Sequence, residues 1–350
     1  MENKLTYDFT DNLIGPHQVA LDITNKCNLR CLHCYNFSGE NNVVDSELSD
    51  DEVLEFIKSL QSIKPYNVCF CGGEPLLRKD LLIKCARILS DNGSIASIVS
   101  NGILATDRSI DELCEAGIKN IQYSLDGISG HDKLRNMQGV FEKVVKAITY
   151  TAQKDVMLSV AFCPTAFNID EFSDVYSLIE KISLKYRDEG RHIKMRVQPL
   201  MPIGRASDNI KSIMPSELQY RQLIKQLNSK TNGTLTIDWG DPIDHLIRFT
   251  TKKLPVNFCT IRANGDLIVS PYLPLIIGNI KVHSLQEYWD CGLNRIWERK
   301  IVRYLANHIK SIADMYTISD ILPRNYKEDE IKLDLFEYDL DDMSLLKQYM

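Results

Sequence analysis

Two rhythms of apolar and polar residues take turns along the first two thirds of the chain. His17–Ile23 (HQVALDI) reads as a strand, and Leu48–Ile63 as a helix with Val53, Leu54, Ile57 and Leu60 on one face. Ser49 followed by Glu52 is the pattern of a capping box at the start of that helix. Further strands are predicted at Asn67–Cys71, Ser94–Ser100, Asn120–Leu125, Val156–Phe162 and Ile193–Gln198. Between them Leu76–Ser90, Ser109–Glu115, Gly139–Gln153 and Asp170–Lys185 read as helices, the second of them ended by Gly117.

Six strand-then-helix units imply parallel strands joined by right-handed crossovers. The predicted class is α/β, a partial (β/α)6 barrel of TIM type, with a doubly wound sheet as the alternative. Either architecture puts chemistry at the C-terminal ends of the strands. The barrel is expected over residues 1–215, and 200–255 look irregular to helical. A small α+β extension is expected over 216–300, with short β-like runs, turns and a Trp-containing helix. Residues 301–350 form the expected tail, helical at first and acidic at its end (EDEIKLDLFEYDLDDMS), which is expected to be a solvated surface or docking tail.

The formal net charge of −6 gives no basic footprint, so nucleic acid is not an expected partner. No apolar run reaches the roughly 20 residues that span a bilayer, so no membrane is expected either. The start, MENKLTYDFT, is too polar for a secretory signal. A cytoplasmic, reducing location follows as the expectation. Ten cysteines there point to metal binding, catalysis or core burial rather than disulfides.

Three of them cluster after the first strand, in TNKCNLRCLHCYN: Cys27, Cys31 and Cys34. A short loop with three thiolates can hold one corner of a cubane cluster, each sulfur taking one iron and the fourth iron staying open. A structural zinc site completed by His33 or a distant cysteine, and a reduced inert loop, are the alternatives. CNLRCLHCY resembles the signature of the radical S-adenosylmethionine (SAM) superfamily, over about residues 15–215. The resemblance implies a [4Fe–4S] cluster on the three cysteines, with SAM binding the open iron through its amino and carboxylate groups.

Further motifs follow in the family's order. CFCGGEP (69–75) ends the second strand and is similar to the motif that contacts the SAM amino group, which implicates Gly72, Gly73 and Glu74. Ser100-Asn101-Gly102 resembles the family's T/S-N-G turn, with a simple strand-to-helix turn as the alternative. YSLDG (123–127) implies that Ser124 faces SAM. HDKLRNMQGVFEKVVKAI (131–148) implies that Arg135 reaches the SAM carboxylate, while His131 is expected to be structural. Cys69 and Cys71 point to one face of their strand and are expected to be small residues beneath the cluster. Cys85 and Cys114 read as core, and Cys163 is left open. Gly204-Arg205 approaches substrate or SAM, or is a turn with a surface arginine.

The implied chemistry is one-electron cleavage of SAM to a 5′-deoxyadenosyl radical that abstracts a substrate hydrogen, with an electron donor of flavodoxin or ferredoxin type. No catalytic acid, base or hydrogen donor is assigned. Residues 257–297 resemble the SPASM/twitch extension through Cys259, Asn264-Gly265, Pro271, Gly278-Asn279-Ile280 and Trp289. Ser270 and Tyr272 stand where a ligand is expected, leaving Cys259 and Cys291. A degenerate extension without an auxiliary cluster is therefore expected, unless Cys163 or a non-cysteine ligand is borrowed.

Extended members of this type often modify ribosomal peptides or proteins, by crosslinking, epimerisation or related maturation, which is the first functional expectation. Radical chemistry on a haem precursor or a sugar-like metabolite is the second, and a non-catalytic iron–sulfur scaffold or sensor the third. About 15 residues precede the first strand, so a peptide substrate is expected to need a separate recognition protein or the extension itself.

Overall fold

The structure is a computed structural model that describes residues 13–40, 43, 46–186, 192–230, 233–251, 258–317 and 330–349. The predicted strands form β1 (Gln18–Thr24), β2 (Asn67–Gly72), β3 (Ile95–Ser100), β4 (Ile118–Ser124), β5 (Met157–Phe162) and β6 (Ile193–Val197). Each pairs in parallel with the next, as in a partial barrel. Helices α1 (Asp50–Ser59), α2 (Lys79–Asp91), α3 (Asp107–Glu115), α4 (Gly130–Arg135), α5 (Val140–Thr151) and α6 (Phe172–Lys185) make the crossovers.

Local chemistry sets the ends of these elements. The Ser49 hydroxyl accepts from the Glu52 N–H at 3.2 Å, and the Glu52 carboxylate accepts from the Ser49 N–H at 2.7 Å. That reciprocal cap, worth about 1 kcal/mol, starts α1. Val53, Phe56 and Ile57 bury the inner face of the helix. Gly117, at φ +100°, takes the left-handed turn that releases the chain from α3 into β4.

Two further parallel strands extend the barrel. After α7 (Arg205–Ile213) and α8 (Glu217–Lys230), β7 (Thr236–Trp239) pairs with β6. This strand lies in the stretch expected to be irregular to helical. At four residues, three of them exposed, TIDW is too short to show an alternation. Following α9 (Pro242–Thr251), β8 (Phe258–Ile261) pairs in parallel with β1 on the opposite side. Then β9 (Asp266–Ile268) and β10 (Leu275–Asn279) continue the sheet antiparallel, and α10 (Leu285–Cys291) follows.

The acidic end of the chain is not a solvated tail over 330–349. Ile331–Lys332 forms β11, parallel to β10, and Ile331, Leu333, Leu340 and Leu346 are buried. Glu330 forms a buried ion pair with Arg262 at 2.8 Å, and Asp334 accepts from the Tyr288 hydroxyl at 2.8 Å. Apolar residues spaced through the acidic run bury it against the extension, so its carboxylates are partly consumed as caps and counter-ions.

Candidate active site

The loop between β1 and α1 carries Cys27, Cys31 and Cys34, of which Cys31 is buried and the other two half-buried. Distant side chains grip it. Glu47 accepts from Thr24 Oγ1 at 2.9 Å, from the Asn25 N–H at 2.6 Å and from the Lys26 N–H at 3.2 Å. Arg205, at the start of α7, donates to the carbonyls of Cys31 (3.2 Å) and Ser38 (2.9 Å) and pairs with Glu40 at 2.8 Å. Its own N–H reaches the Cys34 carbonyl at 2.8 Å. Gly204 must be glycine, because φ is +60° and a Cβ there would stand 2.2 Å from the Tyr35 carbonyl oxygen. The Gly204-Arg205 pair is therefore a clamp on the cysteine loop. Its arginine is almost buried rather than on the surface.

Each of the three sulfurs meets an N–H donor. The Leu29 N–H lies 3.4 Å from Cys27 Sγ, and the Ser38 N–H 3.4 Å from Cys34 Sγ. Arg135 Nη1 lies 3.6 Å from Cys31 Sγ, and Asn101 Nδ2 3.9 Å from Cys27 Sγ. N–H donors aimed at sulfur, with Arg135 and Arg205 on the same loop, suit an anionic iron–sulfur cluster on three thiolates. Burial pushes the Cys27 thiol up, and Cys31 to about 11, so ligand thiolates form only as metal displaces protons.

The end of β2 lies directly on this loop. A Cβ on Gly72 would stand 2.1 Å from the Thr24 carbonyl oxygen, and one on Gly73 2.0 Å from that of Lys26. With no side chains there, the Gly73 N–H bonds to the Thr24 carbonyl at 2.8 Å and the Glu74 N–H to that of Lys26 at 2.9 Å. Glu74 is fully buried and accepts from Ser100 Oγ (2.9 Å), the Asn101 N–H (2.8 Å) and the Leu76 N–H (3.0 Å). Burial raises its carboxyl in spite of these bonds. Asn101 reaches across to Asn28 Oδ1 at 2.8 Å. Gly72, Gly73, Glu74, Ser100 and Asn101 thus form one hydrogen-bonded unit with the cysteine loop.

Ser124 ends β4, half-buried. Arg135 ends α4 and forms a buried ion pair with Asp126, whose second oxygen accepts from the Cys163 N–H at 2.9 Å. Burial alone would raise the Asp126 carboxyl, but Arg135, His33 and His131 outweigh it and hold it below its ordinary range. His131 is buried and its Nδ1 accepts from the Asp126 N–H at 3.0 Å, a structural use of the ring. Asp126→Asn leaves the Arg135 guanidinium buried without its counter-ion. A loss of about 3 kcal/mol in urea unfolding is expected.

Asp22, on the inner face of β1, accepts from Asn36 Nδ2 at 3.3 Å. Burial lifts its carboxyl from 3.8 to about 6. The folded state thus holds this proton more tightly than the unfolded chain, so the stability it brings is present below pH 4 and lost as pH rises through 6. The rise from 3.8 to about 6 corresponds to about 3 kcal/mol. Asp22→Asn is expected to flatten the loss, read as urea midpoints at intervals across that window.

The remaining candidate cysteines do not join the loop. Cys163 packs beside Leu200, Ala206 and Ile213, Cys259 is buried on β8, and Cys291 lies 3.5 Å from the Leu335 carbonyl. Among the described residues, no three or more His, Cys, Asp or Glu side chains close on a single metal ion, the loop triplet included. A four-iron cube is wider than one ion, so its ligands need not converge on a point.

A parallel α/β barrel with a three-cysteine loop at the C-terminal ends of its strands is the architecture of enzymes that generate radicals with an iron–sulfur cluster. The sequence pattern of the radical SAM superfamily matches residues 21–179, and the chain belongs to that superfamily. It is similar to the AdoMet-dependent heme synthase of Methanosarcina barkeri, 25% identical over 79% of this chain and 82% of that one. The mycofactocin maturase MftC of Mycolicibacterium smegmatis is 27% identical over 84% and 73% of the two chains. For the GTP 3′,8-cyclase of Clostridium perfringens the values are 31%, 65% and 68%.

Among solved structures, the fold matches Streptococcus suis SuiB bound to the precursor peptide SuiA, with TM-score 0.60 and 13% identity over 79% of this chain and 64% of that one. It also matches anSMEcpe with bound AdoMet, with TM-score 0.57 and 15% identity over 94% and 96%. As a member of the radical SAM superfamily, the protein is an enzyme that uses a [4Fe–4S] cluster and SAM. No helix among the described residues is long and apolar enough to cross a membrane.

Proposed function

We propose that the protein modifies a ribosomal peptide or protein by hydrogen abstraction, with Cys27, Cys31 and Cys34 as the cluster ligands. The observation that carries the ligand assignment is the N–H donor found at each sulfur. When bound, the cluster supplies the electron that opens the sulfonium C–S bond of SAM. The chain's own residues do the positioning. Gly72, Gly73, Glu74, Ser100 and Asn101 form the wall against which SAM lies, with Ser124 on the next strand end. Arg135, turned toward the loop and held there by its ion pair with Asp126, would donate hydrogen bonds to the SAM carboxylate.

The peptide substrate is supported by relatives named as the mycofactocin maturase MftC and the PqqA peptide cyclase of Bradyrhizobium diazoefficiens. The proposal includes a low-potential electron donor of flavodoxin or ferredoxin type, a separate peptide-recognition protein and a cytoplasmic location. One observation favours a second reading, chemistry on a haem precursor. The heme synthase relative spans 79% of this chain, between the 84% of MftC and the 67% of the PqqA peptide cyclase.

Deoxyadenosine release separates the two. The reconstituted enzyme is given SAM, dithionite and either short precursor peptides encoded near its gene or iron-coproporphyrin. Stimulated release and a mass change on a peptide are expected. Stimulation by the tetrapyrrole alone would replace the first reading with the second.

A further inference from the structure

Cys69 and Cys71 alternate along β2 with Val68 and Phe70, and the two pairs leave opposite faces of the strand. Val68 and Phe70 are completely buried in the apolar core. The cysteines are half-buried on the other face, inside the barrel, with their sulfurs 3.5 Å apart. Cys71 is in register with the inward Asp22 of β1 and feels the charge of Arg196 on β6, four strands away. It therefore faces the lumen. It is also the last side chain of β2 before Gly72-Gly73-Glu74, the wall assigned above to SAM.

Thiols are not inert in such a place. An S–H bond is weaker than an aliphatic C–H bond, so a carbon radical that touches a thiol takes its hydrogen. That reaction needs the protonated form. Contact with Cys69 and burial hold Cys71 well above the ordinary thiol range and keep its hydrogen in place.

We propose that Cys71, with Cys69 in contact beside it, is a hydrogen-atom donor to a substrate-centred carbon radical, an inference that rests on the radical chemistry assigned above. The Cys71 S–H bond breaks homolytically, a C–H bond forms on the substrate, and the unpaired electron passes from carbon to sulfur. One electron from the flavodoxin- or ferredoxin-type donor and one proton from water then restore the thiol. The substrate carbon regains a hydrogen, as in inversion of a stereocentre, instead of being consumed in a new bond.

Two measurements test this. Cluster-loaded enzyme is exchanged into D2O without added thiols and given SAM and dithionite but no substrate. With the cavity empty, the radical meets the exchanged S–D group, and the O–D bonds of water are too strong to donate. Deuterium per deoxyadenosine is then read by mass spectrometry. Wild type is expected to yield mono-deuterated deoxyadenosine, Cys71→Ser and Cys71→Ala to lose the label, and the helix variant Cys114→Ala to keep it. Deoxyadenosine without deuterium from wild type would overturn the donor and leave the SAM chemistry intact. No deoxyadenosine at all would remove both.

The second measurement needs no cluster. Titration of the folded protein with methylmercury, which displaces the thiol proton and needs no free thiolate, is expected to modify Cys69 and Cys71 and to spare the fully buried Cys85. Two lumen cysteines as unreactive as Cys85 would contradict their placing at the cavity wall.

Discussion

Gly73→Ala is expected to abolish iron loading and to cost the fold about 3 kcal/mol, the upper range for forcing atoms into packed structure. The added Cβ would lie 2.0 Å from the Lys26 carbonyl oxygen, 2.6 Å from the carbon bearing it and 2.7 Å from the Asn25 carbonyl oxygen. All three are backbone atoms, so no rotamer change relieves the clash. Either β2 withdraws from the loop or the loop moves at the residues just before Cys27, and the bonds from Gly73 and Glu74 to Thr24 and Lys26 are lost with it. Iron and sulfide analysis after reconstitution, together with the urea midpoint, measures both effects.

Gly93→Ala is the control for simple glycine loss. Its φ is +78° but its Cβ would meet nothing within 4 Å. A strain of about 1 kcal/mol and full iron content are expected there. Equal iron content in Gly73→Ala and wild type would show that β2 does not brace the cysteine loop.

Arg205→Ala is the second large effect. One guanidinium serves the carbonyls of Cys31 and Ser38 and the Glu40 carboxylate, and lies 5.1 Å from the centre of the Phe37 ring. Its removal strands acceptors around two of the sulfur-bearing turns, at about 3 kcal/mol in total when each orphaned group costs 1–3. Cluster content after reconstitution and its half-life in air should both fall. Arg205→Lys is expected to recover only part of the loss, because a single ammonium cannot reproduce the planar fork. Full recovery by lysine would reduce the role of Arg205 to its charge.

Local signals were legible in the chain. The Ser49/Glu52 box, the six parallel strands and the three-cysteine loop all depend on residues a few positions apart, where sequence spacing and geometry coincide. So does the shared face of Cys69 and Cys71, although their sulfur contact depends on rotamers that spacing does not set. Arg205 was not legible, because its partner Glu40 lies 165 positions earlier. The short edge strand β7 was missed because four mostly exposed residues carry no periodicity. In the acidic end of the chain the alternation of Ile331, Leu333 and Leu335 was present, but the surrounding carboxylates masked it. What those carboxylates bind, Tyr288 and Arg299 among them, is visible only once the fold brings them together.

The most direct measurement is the yield of 5′-deoxyadenosine. Protein purified without oxygen, reconstituted with iron and sulfide and given dithionite and SAM is compared by mass spectrometry with a Cys27/Cys31/Cys34→Ala triple variant. Deoxyadenosine from wild type and none from the variant is the expected result. If the wild type, carrying a full complement of iron, makes none, or if the triple variant makes as much, the cysteine loop is not where this enzyme opens SAM.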